Sequence, residues 1–178
     1  SADWGLDQLV NSNGAAFADL DNDGDLDLVV NNINAPASVY RNEANTRTND
    51  HYLDIKLKGS DKNSQGLGTK VFCYASGKMQ LLEQMPTRGY QSSVSPVLHF
   101  GLGEAEKVDS LKIIWLNGRM QTMYNVTANQ LLVVDQQQAK ENYLYARRLP
   151  PATFTAIRPS IEYEHFQPDY NDFKRQPL

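Results

Sequence analysis

Asp19-Leu20-Asp21-Asn22-Asp23-Gly24-Asp25-Leu26-Asp27, residues 19–27, puts five aspartates on alternate positions around one glycine. Alternation is the period of a β-strand, so a strand with a solvated acidic face is one reading. The residue types argue against it. Asp, Asn and Gly are poor strand formers, and Asn22-Asp23-Gly24 is a turn sequence set between apolar Ala16-Phe17-Ala18 and Leu28-Val29-Val30. The stretch therefore predicts two strands joined by an acidic turn, which makes the beginning of the chain a β-hairpin.

Charge bookkeeping gives the turn a chemistry. The chain holds 21 acidic and 17 basic residues, net −4, while this stretch alone carries −5, so the rest of the chain sums to +1. Carboxylates roughly 5 Å apart repel by about 3 kcal/mol at an effective dielectric near 20. Five in one turn need a counter-ion. Ca²⁺ is the natural one: a hard cation that takes about six to eight oxygens, which a short loop supplies by curling carboxylates and a carbonyl around one point. Gly24 at the sixth position permits the sharp turn, and Asp27 at the ninth can close the ring. An EF-hand would close with Glu at the twelfth position, where this chain has Val30, and its flanks would be helical rather than β-branched.

Gly14 to Asn32, GAAFADLDNDGDLDLVVNN, followed by Ser38-Val39-Tyr40-Arg41-Asn42, resembles one blade of the FG-GAP or VCBS repeats that build calcium-carrying β-propellers. That resemblance implies side-chain ligation by Asp19, Asp21, Asp23 and Asp27 and carbonyl ligation by Asp25. Strands are expected at about 15–19, 26–31 and 38–41. One repeat cannot bury its own face. A lone blade must pack on the following domain, a partner or further blades.

The polar segment 42–50 reads as a linker, and from His51 the pattern changes. Tyr52-Leu53-Asp54-Ile55-Lys56-Leu57-Lys58 alternates apolar and polar residues as a half-buried strand does. Further strands are expected at about 69–75, 79–85, 96–100, 110–116, 120–125 and 130–135. Ser76-Gly77-Lys78 and Asn117-Gly118 are hairpin turns. Short strands at this spacing predict a β-sandwich or partly open barrel. The same region resembles the ASPIC/UnbV domain through His51-Tyr52-Leu53, Asn63 to Val71, Arg88-Gly89-Tyr90, Leu98 to Gly103 and Ile114 to Gly118 with Asn125-Val126. Leu116-Asn117 stands where that family has Pro-Ser, and Lys70 where it has Arg. The resemblance identifies a module and implies no chemistry.

The expected organisation is a partial blade over 1–48, the ASPIC/UnbV-like domain over 49–137 and an aromatic-rich extended tail over 138–178. From Tyr143 to Phe173 that tail holds seven of the 17 aromatic residues, and a disordered tail should be poor in them. Its end, from Ile161 to Phe173, resembles the opening of a further propeller, as in a fragment of a longer VCBS repeat protein.

A chain of 178 residues without an apolar run of about 18 predicts no membrane span. The acidic balance predicts no nucleic-acid partner. Cys73 is single, hence without an internal disulfide, and is expected as a buried inert thiol. His51, His99 and His165 are isolated in sequence, with no orienting carboxylate marked by a motif. Gly66-Leu67-Gly68 and Gly101-Leu102-Gly103 lack the ending of a phosphate loop.

The expectation is a non-catalytic, calcium-stabilised, extracytoplasmic interaction or scaffold module, in the periplasm, at the cell surface or secreted, with a protein or glycan partner. The alternative is a carbohydrate-binding module that stacks sugars on Trp115, Tyr90 or the tail tyrosines. A hydrolase using the acidic residues is a third reading that no acid/base pair supports.

Overall fold

The computed structural model describes residues 4–144. Of the tail only residues 138–144 are described; the expectations placed beyond them, including His165 and the further propeller, lie outside the described residues.

The first sheet is the predicted hairpin with one strand added. β1 (Ser12–Ala18) pairs antiparallel with β2 (Asp27–Asn32), and β2 with β3 (Ser38–Tyr40), in the order β1-β2-β3. Ala18 opposes Asp27 and Phe17 opposes Leu28, so the acidic stretch is the hairpin loop itself. A short helix, α1 (Ala44–Arg47), interrupts the segment read as linker.

Two sheets follow. β4 (His51–Lys58) lies between β10 (Leu131–Asp135), parallel to it, and the antiparallel β7 (Val97–Gly103). The other sheet holds β5 (Lys70–Ala75), β6 (Lys78–Glu83), β8 (Lys107–Ile114), β9 (Arg119–Thr127) and β11 (Glu141–Asn142), in the order β11-β9-β8-β5-β6. Neither sheet closes on itself, so the architecture is an all-β sandwich of open sheets and not a barrel. Every strand expected from sequence is present within a few residues of its expected bounds.

The alternation in β4 does what the pattern requires: Leu53, Ile55 and Leu57 are buried and Lys56 and Lys58 exposed. They join Leu98 and Phe100 of β7 and Val134 of β10 in one core with Val71 and Cys73 of β5 and Leu111 and Ile113 of β8. Trp115, 1% exposed, completes it from the turn after β8. A Cβ at Gly66 would lie 3.1 Å from Trp115 Cζ3 and 3.0 Å from Leu57 Cβ, at φ +64°. Gly66 is thus a bend against the core. Burial of Trp115 removes it from the sugar-stacking residues expected from sequence: an indole inside the core presents no face to a ligand.

Candidate metal centre

Three of the five aspartates converge. One carboxylate oxygen each from Asp19, Asp21 and Asp27 lies within 4.8 Å of the other two. The loop is held by its own backbone. Asp19 accepts from the N–H groups of Asp23 and Gly24, both at 3.1 Å, and Asp23 Oδ1 accepts from the N–H of Asp25 at 3.0 Å. Asn22 and Gly24 take positive φ values of 60° and 95°. Short Asx-type bonds of this kind let a chain curl without helix or ladder.

Asp27 is buried, at 3% exposure, at the start of β2. Its Oδ2 accepts from the N–H of Leu20 at 3.0 Å and its Oδ1 from the N–H of Asn42 at 2.8 Å, tying the loop's start to the segment after β3. Asp23 and Asp25 are not part of the converging set. The Asp25 carboxylate instead accepts from the Asn45 N–H in α1 at 2.6 Å. Asp23 Oδ2 is buried and accepts no hydrogen bond. The Asp25 N–H holds the Asp23 carboxyl below the usual carboxylate range, burial opposes this, and Asn45 and Arg41 add smaller lowering effects.

Arg41 is the residue that sequence reasoning missed. Its Nε lies 2.9 Å from Asp21 Oδ2 and its guanidinium 3.6 Å from Asp23 Oδ2. Part of the counter-charge the loop demands is therefore supplied by the chain itself. Arg41 stands two strands from the loop, after β3, and that distance in sequence gives the pairing no local signature.

The second missed residue is Tyr52. A Cβ at Gly24 would overlap the Tyr52 ring, so the loop lies directly against β4 at its only side-chain-free position. Burial pushes the Tyr52 phenol up, and the carboxylates of Asp54, Asp19, Asp23 and Asp25 act in the same direction. Beside it, His99 Nδ1 lies 2.8 Å from Asp54 Oδ1, and the His99 ring stacks on Tyr52 at 5.6 Å with 13° between planes. The orienting carboxylate absent from any motif is thus supplied across the β4–β7 pair, where Asp54 opposes His99. A cleft of about 340 Å³ opens beside this group, with Asp19, Tyr52, Asp54 and His99 on its walls.

The donor set fits a hard divalent cation. It offers carboxylate oxygens only, from Asp19, Asp21 and Asp27, with the unbonded buried Asp23 Oδ2 in the same loop.

Residues 59–141 match the family ASPIC and UnbV. The match begins after β4 and ends at the first residue of β11, and it leaves the hairpin and its loop outside. Cartilage acidic protein 1 of Xenopus tropicalis is 30% identical over 113 residues, which cover 61% of this chain and 17% of that protein. The chain spans less than a fifth of the length of the relative it matches. No helix among the described residues is long and apolar enough to cross a membrane.

Proposed function

We propose that this chain is a non-catalytic, extracytoplasmic interaction module in which one FG-GAP/VCBS-type hairpin, fixed by Ca²⁺, is docked on an ASPIC/UnbV domain. The observation that carries the reading is the convergence of Asp19, Asp21 and Asp27 in a loop packed on Tyr52. Asp19, Asp21, Asp23 and Asp27 would hold the ion, with the Asp25 carbonyl in the place that the repeat pattern gives it. The ion would supply charge neutralisation and a fixed loop shape, and no reaction.

Two further points support the setting. The matched relative is named for cartilage and for acidity, which favours a calcium-rich exterior for this chain too. A millimolar-calcium exterior suits the weak, roughly 10⁻⁴–10⁻³ M calcium affinities of extracellular modules.

The test is thermal unfolding of the whole chain after chelation, with Ca²⁺ or Mg²⁺ added back. Ion at 100 times its Kd stabilises by about 2.7 kcal/mol. For a chain of this size that is about 5–10 °C. Ca²⁺ should raise the Tm by that order, Mg²⁺ by less, and Asp21→Asn should remove most of the gain. An unchanged Tm at about 100 mM Ca²⁺, 100 times the weakest of these affinities, would defeat the calcium reading.

A further inference from the structure

The outer face of the five-stranded sheet has a composition that a solvated face does not need. Register sets it in rows across four strands. Met79, Tyr74, Ser110 and Tyr124 oppose one another in one row, and Leu81, Phe72, Lys112 and Thr122 in the next. Tyr124 is 70% exposed and Tyr74 37%. Between them stands Ser110, whose small side chain leaves a gap two strand spacings wide, about 9.5 Å.

That gap is a depression of about 410 Å³ lined by Tyr74, Ser110, Lys112, Met120, Thr122 and Tyr124. Its size lies at the lower end of small-molecule sites, which run from about 300 to 1,000 Å³. The chemistry is mixed: two aromatic walls, two hydroxyls on the floor and a methionine. Such a surface suits a ligand that itself alternates C–H faces and hydroxyl groups, because aromatic rings take the former and serine, threonine and tyrosine hydroxyls the latter.

The charge narrows the class. Lys112 sits in the depression and makes no salt bridge among the described residues. The carboxylates Glu83 and Glu141 stand on the two edge strands, and none lines the depression. A chain of net charge −4 therefore presents one cation in this depression, Lys112, in the row beside the two tyrosines, while Lys70 on the same face stands opposite Glu83. The geometry points to a binding site for an acidic saccharide here, with pyranose rings against Tyr74 and Tyr124 and a carboxylate or sulfate at Lys112. This site replaces Trp115 and is independent of the metal loop.

A glycan array bearing uronate, sulfated and neutral oligosaccharides, probed with the whole chain, tests it. Acidic glycans should bind, and calorimetry with galacturonate oligomers and their methyl esters should find the acid at least tenfold tighter. Tyr124→Ala, at an exposed position, should weaken the acid at least tenfold, and Lys112→Gln should erase the preference over the ester. Both variants should keep the wild-type Tm and bind equally with chelator or Ca²⁺ present. An array without acidic hits, or a Tyr124→Ala protein that binds as tightly as wild type, would overturn the proposal.

Discussion

Gly24 is where the loop and the domain meet at the level of one atom. An alanine there faces two separate costs: φ of +95°, which L residues rarely adopt, and overlap with the Tyr52 ring. Gly24→Ala should destabilise by more than about 1 kcal/mol in chemical denaturation. In a Tyr52→Ala background the overlap is gone and only the backbone strain remains, so the same substitution should cost less. Residues in contact commonly couple by about 0.5–3 kcal/mol. Additive losses in that cycle would mean that loop and ring do not touch in solution. The aspartates and the glycine were legible in the sequence because their types are improbable in any strand. Arg41 and Tyr52 were not, since what makes each matter is a neighbour brought in by pairing, and neither has an unusual local pattern.

Strands and turns were readable for a physical reason: burial on one face forces alternation, as Leu53, Ile55 and Leu57 obey, and Ser76-Gly77 ends one strand and starts the next. What could not be read was long-range pairing, such as the parallel alignment of β10 with β4, or β11, two exposed polar residues that pair with β9. One side-chain contact reports on the parallel pair. Lys58 Nζ lies 2.8 Å from Asp135 Oδ2, where the two strands end in register. Lys58, then the Gln137 N–H, holds the Asp135 carboxyl below its ordinary value, and Asp135 raises the Lys58 ammonium above its own. The Asp135 contribution is present above its unfolded pKa and is lost as pH falls through the lower folded one; that of Lys58 is present below its unfolded pKa and is lost as pH rises through the higher folded one. Both partners are solvent-accessible, so the effect is small. Lys58→Met should return the Asp135 carboxyl, followed by carbon NMR, toward its ordinary pKa. A titration unchanged by the substitution would mean that the pair does not persist.

Whether hairpin and sandwich behave as one molecule follows from where the core sits. Trp115 and Cys73 are both 1% exposed in the same cluster, far from the loop in sequence. Trp115→Ala should cost about 3–5 kcal/mol, a large part of the roughly 5–15 kcal/mol that holds a domain together. Cys73 supplies the matching probe. Burial, aided by Asp109, pushes its thiol up to about 11, so at neutral pH it is both protonated and inaccessible. Alkylation therefore requires opening, and when reclosing is fast its rate follows the population of the open form. If the loop is locked to β4 through Tyr52, an ion that stabilises the loop also stabilises the core by mass action. Saturating Ca²⁺ should then slow alkylation of Cys73 in wild type and fail to do so in Asp21→Asn. Calcium that raises the thermal midpoint of the hairpin while leaving the Cys73 rate untouched would show two units that open separately, with Tyr52 a contact that does not couple them.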